Sequence, residues 1–441
     1  MNRRAPWENG RLAVSGNGRY LRNGSVPFFW LEDTAWLLFH QLTTEETRNY
    51  FQNRLEKGYT IILADFAHGA GQKNAAGDRA FLDEDFARPD LAGHYWDHID
   101  EVIAMAERMG LYMGILPAWG SATVQAGTLN AGNVDAYVDF ITKRYGSYKN
   151  LVWIVGGDVR GDAAEAVFNR MGERLKEQNP DKLIGYHPFG RTSSTQWFCG
   201  KDWLDFHMFQ SGHRRYDQVS LNAWDDNVPK EDWFGEDNWK YVFRDLKLEP
   251  FKPTIDGEPS YEQVLQGLHD ETQPYWQARD VRRYAYWAVF AGAFGHTYGD
   301  NSIMQFYQDK SKKGAFGVKD TWKEALHHPG SGQMKHMKDL MESVDYQSGK
   351  ARDSLVIGGQ GERYERKAVF AGKDYLFCYD YAGTPFTLDL SPYRDLTMKA
   401  YWFDPESGIY SFIEELSGPD EYTAKPVQKA DTDWVLVLKK S

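Results

Sequence analysis

The segment "LVWIVGGDVRG" (residues 151–161) closes an apolar run on two glycines and a carboxylate, Asp158. Further along, "TIDGEPSYE" closes another run on Glu258, set between Gly257 and Pro259. Glycine allows a backbone to come close to a ligand, and the residue before a proline is biased toward extended geometry. Each segment therefore presents one carboxylate at the end of a strand. Two carboxylates across a cleft suit glycosidic bond hydrolysis: one, kept protonated, donates to the leaving oxygen, and the other attacks the anomeric carbon or activates water. Asp162 with Glu165 reads as the cap of the helix that follows, leaving Asp158 no capping duty. Asp256 shares the Glu258 side of a regular strand, and Glu262 belongs to the loop beyond.

These carboxylates need a scaffold that brings distant strand ends together. A unit of amphipathic helix, turn and short apolar strand recurs, as in "RLEKGYTIILADFAHG" and "AERMGLYMGILPAWG". Gly58 and Gly110 fall where a helix C-terminus takes a left-handed residue, and Thr43 with Glu46 forms a capping-box signature. In "HIDEVIAMAERMG", Ile99, Val102, Ile103, Ala106 and Met109 share one helical face. Eight strands follow in order: "PFFWLEDT", "TIILADF", "YMGILPAW", "LVWIVGG", "KLIGYHPF", "LDFHMFQS", "KPTIDGEP" and "GAFGHTYG". Eight such units without a glycine-rich phosphate turn indicate a closed (β/α)8 TIM barrel over residues 27–345. Residues 1–26 read as a β-hairpin extension. Residues 346–441 read as an accessory antiparallel β-sandwich, from short alternating strands such as "KAVFAG", "DYLFCYDY" and "DWVLVLKK". Whether that sandwich itself binds carbohydrate is open.

Chemistry on such a barrel sits at the C-terminal strand ends. Those ends offer Trp36 and Trp119 as platforms for sugar faces, with Asp33, His68, His187, Gln210 and His296 as hydroxyl partners around Asp158 and Glu258. Strand 1 lacks the paired histidines of a metal-dependent hydrolase barrel, so no metal and no cofactor is expected. The chain has 441 residues, a net charge of −12 and 15% aromatic residues. Acidity without a basic block argues against nucleic acid and anionic membranes as partners. The two cysteines, Cys199 and Cys378, form no framework. The N-terminus has no secretory pattern, which points to the cytoplasm, or to the periplasm or exterior if a signal has been removed.

The strings "FFWLEDTAW", "WIVGGD" and "DGEPSYE", in that order and followed by "AYWFDPESG" in the β-rich tail, resemble glycoside hydrolase family 140, the apiosidase-like family. The resemblance runs from about Arg11 to the end. It implies that Asp158 is the acid/base and Glu258 the nucleophile of a retaining hydrolase. The substrate it implies is a β-apiosyl linkage in the pectin rhamnogalacturonan II. An aspartate as acid/base departs from the glutamate usual in the wider clan and implies a sugar held closer to strand 4. The alternatives are a related barrel glycosidase acting on another furanoside or plant glycoside, and a non-catalytic carbohydrate-binding protein.

Overall fold

A computed structural model describes residues 4–218, 234–426 and 432–441. Strands β1 (Leu12–Val14), β2 (Leu21–Asn23) and β3 (Val26–Phe28) form an antiparallel sheet, one strand more than a hairpin. The Asn23 amide reaches the Tyr112 hydroxyl at the start of a barrel strand. This sheet therefore closes the end of the barrel remote from the strand C-termini.

The eight expected barrel strands all form: β4 (Trp30–Thr34), β5 (Ile61–Asp65), β6 (Tyr112–Leu116), β7 (Leu151–Val159), β8 (Ile184–Pro188), β9 (His207–Phe209), β10 (Thr254–Asp256) and β11 (Gly295–Tyr298). Six pair in parallel in the order β11-β4-β5-β6-β7-β8, and β9 pairs in parallel with β10. The seams close by single bonds, Asp205 N–H to the Ile184 carbonyl (2.9 Å) and Phe294 N–H to the Thr254 carbonyl (3.1 Å). Alternate strand residues separate two environments. Ile61, Leu63, Val152 and Ile154 join one buried cluster, while Ile62, Ala64, Trp153 and Val155 join another with Ile99, Val102, Ile103 and Ala106 of the helix Tyr95–Met109.

Local signals explain the helix ends. Thr43 and Glu46 complete a capping box on the helix Thr44–Glu56, and Gly110 ends the helix Tyr95–Met109 in the left-handed region. Asp162 does not cap the helix Glu165–Gln178, whose N-cap is Ala164; it pairs instead with the Arg160 guanidinium.

The C-terminal strands are β12 (Lys350–Ala351), β13 (Val356–Gly358), β14 (Lys367–Ala371), β15 (Tyr375–Asp380), β16 (Phe386–Asp389), β17 (Thr397–Phe403), β18 (Tyr410–Ser417), β19 (Glu421–Ala424) and β20 (Trp434–Lys440). They make a sheet β12-β14-β15-β20-β17-β18 against a sheet β13-β16-β19. Leu376, Cys378, Leu388, Met398, Ala400 and Leu436 fill the space between them. The opposite face of the larger sheet packs on the barrel helix Ala278–Ala291, with Tyr286 stacked on Tyr379 at 4.6 Å. Beside that contact Arg282 donates two hydrogen bonds to buried Asp433, which also accepts from the Tyr379 hydroxyl.

Candidate active site

Beta-strand 7 does not stop where its apolar run ends. Gly156 (φ 95°), Gly157 (φ 111°) and Asp158 (φ 45°) all carry positive φ, and the ladder to β8 shifts register between Gly156 and Val159. A Cβ on Gly156 would lie 2.3 Å from the His187 carbonyl, and one on Gly157 would lie 2.8 Å from the Gly120 nitrogen. The two glycines are thus required, and they turn Asp158 out of the ladder into the barrel mouth. A non-glycine residue held at positive φ is a mark of functional sites.

Asp158 and Glu258 line the same cleft of about 280 Å³, together with Gln210, His213, Arg191, Arg214 and an apolar side made of Phe189, Val264, Leu268, Met304 and Phe316. Glu258 is buried and meets two imidazoles. His213 Nε2 lies 2.9 Å from its Oε1, and His187 Nε2 lies 3.2 Å from its Oε2. The backbone N–H of Asp158 donates to His187 Nδ1 at 3.3 Å. That bond leaves the His187 proton on Nε2, facing Glu258. A single imidazole therefore couples the backbone of one carboxylate to the side chain of the other.

The same arrangement drives the two acidities apart. Burial raises both groups, but at Glu258 the facing imidazoles of His187 and His213, with the His213 charge, outweigh it and bring the pKa down to about 2. At Asp158 burial and the neighbouring Glu258 charge win over the histidines and a Gln210 hydrogen bond, and the pKa rises to about 6. Near pH 5 one group is an ionised nucleophile or base and the other a proton donor, the division of labour that glycoside hydrolysis requires.

The remaining expected residues divide. Gln210 and His187 join the carboxylates directly. Trp36 and Trp119 pack edge to face on each other at 4.7 Å and against His187 at 5.1 and 6.1 Å. At 5% and 9% exposure they back the His187 wall and show little open ring face. His68 stacks on Trp119 at 5.1 Å with its side chain 35% exposed. None of Trp36, Trp119 and His68 lines the cleft itself, and two further residues face away from it. Asp33 shares the side of β4 that faces the helices and is bound there by Arg54 Nε (2.6 Å) and the Tyr50 hydroxyl. His296 lies on the side of β11 opposite Thr297, whose hydroxyl donates to Glu32. Burial lowers the His296 pKa to about 3, so it stays neutral within the fold.

Asp256 also departs from expectation. The chain leaves β10 at Gly257, and Asp256 turns to Ser211 and to the Asn238 amide. It thereby anchors the loop after β9, two residues before His213. His213 is the residue that reading strand ends missed. It lies beyond the end of β9, and its carbonyl is fixed by the Gly267 N–H (2.7 Å) and the Trp276 indole (3.3 Å). "QSGHRR" carries no periodic signal, only a histidine beside a glycine.

Comparisons with known proteins fit this geometry. Residues 15–348 match the family described as "Apiosidase-like, catalytic domain", and residues 352–439 match one described in part as "collagen-binding domain of a collagenase". Among solved structures, a protein titled "Glycoside hydrolase" is 39% identical over 99% of this chain and 98% of its own, with a TM-score of 0.93. A glycoside hydrolase family 5 from Bacteroides vulgatus is 37% identical over 99% and 95%, with a TM-score of 0.92. An endo-1,4-beta-mannanase from Rhizomucor miehei shares the fold alone, at 11% identity and a TM-score of 0.52 over 76% and 100%. A search of curated proteins returned no match. With two carboxylates facing one cleft at the mouth of the barrel, the chain belongs to the apiosidase-like family and is a glycoside hydrolase.

Proposed function

We propose that the enzyme is a retaining hydrolase of β-apiosyl linkages in plant pectin, of the kind found in rhamnogalacturonan II side chains, and belongs to glycoside hydrolase family 140. The observation that carries the mechanism is the meeting of two carboxylates in one cleft, with Asp158 bent into it and both oxygens of Glu258 faced by the imidazoles of His213 and His187. The apiosyl specificity rests on the family match over the catalytic barrel.

Protonated Asp158 donates to the leaving oxygen while Glu258 attacks the anomeric carbon. The glycosyl–Glu258 ester is then cleaved by water, whose proton passes to the Asp158 carboxylate, restoring both groups. His187 and His213 hold the Glu258 oxygens in place and favour the ionised carboxylate that attacks and that is regenerated when the ester is cleaved. Gln210 donates to Asp158 and holds its carboxyl toward the cleft.

The test is sugar release from rhamnogalacturonan II fragments, a simple β-apioside and arabinofuranosides, with products identified by chromatography. Apiose, or an oligosaccharide ending in apiose, should appear with the wild type and not with Glu258→Gln. Release of a different sugar would keep the acid pair and overturn the apiosyl reading. Nuclear magnetic resonance of the first-formed product should show the β-anomer, and the α-anomer would overturn retention.

A further inference from the structure

A fully buried carboxylate, Asp65 at the end of β5, takes no part in the mechanism above, yet two imidazoles converge on it. His40 Nε2 donates to its Oδ1 at 2.7 Å and His68 Nδ1 donates to its Oδ2 at 3.0 Å. Behind His40, Nδ1 lies 3.2 Å from the Tyr95 hydroxyl, which in turn donates to the Phe66 carbonyl. Tyr95, His40 and Asp65 are all shut away from solvent. Only the last member of the series, His68, reaches the surface, and it does so on the side of the barrel where the strand ends carry the chemistry.

His68 is fixed in two ways. Asp65 holds Nδ1, and the ring stacks on Trp119 with 27° between planes. Trp119 touches both Trp36 and His187, and His187 faces Glu258. With the Nδ1–H spent on Asp65, Nε2 points away from the carboxylate as a hydrogen-bonding atom of fixed direction, accepting from a hydroxyl when the ring is neutral and donating to one when it is protonated. A buried ion pair is a poor way to gain stability, whereas a hydrogen-bonding group locked in place is what positioning a sugar demands.

We propose that Asp65 and His40 are positioning residues that hold His68 against Trp119 as a fixed hydrogen-bond partner for a hydroxyl of the bound sugar. The inference rests on the glycosidase site described above and not on which sugar is cleaved. Burial works against protonation of His68, and the facing Asp65 charge outweighs it, so the ring is held above its ordinary pKa.

The experiment compares wild type, Asp65→Asn, His68→Gln and the double variant on the best-cleaved member of the glycoside panel. A ligand-free titration of the His68 imidazole by nuclear magnetic resonance and a thermal melt accompany it. Each single variant should lose roughly 10- to 100-fold in kcat/KM, and the double variant should lose no more than His68→Gln. The His68 midpoint should fall in Asp65→Asn. Losses that multiply in the double variant, or kcat/KM within about twofold of wild type in His68→Gln, would overturn the proposal. If Asp65→Asn does not fold, His40→Gln with the same readouts replaces it. If no glycoside in the panel is cleaved, the apiosyl reading fails separately, and an unmoved His68 midpoint in Asp65→Asn overturns the positioning claim.

Discussion

At the scale of single residues, the proposed mechanism depends on Glu258 entering the cycle ionised and Asp158 entering it protonated. The kcat/KM profile should rise as Glu258 ionises near pH 2 and fall as Asp158 loses its proton near pH 6, giving an acidic optimum. Replacing His213 with alanine removes a hydrogen bond and a charge from Glu258, so the acidic limb should move to higher pH. An acidic limb that stays in place would show that His213 does not tune the nucleophile. Asp158→Asn should cut kcat roughly 10²- to 10⁴-fold on a sugar leaving group and far less on a nitrophenyl leaving group, which needs little protonation. The same variant has a stability signature. A carboxyl whose folded pKa is raised loses stability as pH climbs from its unfolded pKa toward 6 and bears the full penalty above that. Asp158→Asn should therefore raise the melting temperature at pH 8 relative to wild type, with no comparable gain at pH 3. Equal shifts at both pH values would contradict the assigned acidity. Both carboxylates were legible in the sequence because each stands between residues with strong backbone preferences. Asp33 and His296 misled because a strand end names a position and not a side. The parity of β4 and β11 sends both away from the cleft.

Elements determine where those residues stand. The glycines before Asp158 allow β7 to shift register and turn its last residues into the mouth. Gly157→Ala would place a Cβ 2.8 Å from the Gly120 nitrogen at a φ of 111°. It should lower kcat by roughly 10²-fold through misplacement of Asp158 and cost about 1–3 kcal/mol of stability by urea unfolding. Near-wild-type activity in this variant would mean that the bend is not needed for catalysis. All eight barrel strands were readable because each is a short apolar run bounded by turn residues. The short β12 and β19 were missed because two and four residues leave too little periodicity to read. The expected cap at Asp162 failed for a local reason: Arg160, two residues away, takes its carboxylate. His213 stayed hidden because its place comes from tertiary contacts of the loop after β9, to Asp256 through Ser211 and to Trp276.

Across the whole molecule, the barrel and the β-sandwich share a buried interface that includes the helix Ala278–Ala291. Arg282 and Asp433 are both buried there and bonded to each other, with Gln333 and Tyr379 completing the cluster. Removing one partner of such a pair leaves an uncompensated charge. Arg282→Met should cost about 3–5 kcal/mol by urea unfolding, and Arg282→Met with Asp433→Leu should recover most of the loss. A loss that remains whole in the double variant would place the effect in packing. The change of texture that marks the sandwich was visible in the sequence, but the pairing of Arg282 with Asp433 across the two units was not, since nothing local marks either residue.

The most direct test of the central claim is release of sugar from a β-apioside by wild type and Glu258→Gln, with the anomer of the first product read by nuclear magnetic resonance. The account predicts β-apiose from the wild type and none from the variant. Equal release by both proteins would contradict the assignment of Glu258 as nucleophile, and α-apiose from the wild type would contradict retention.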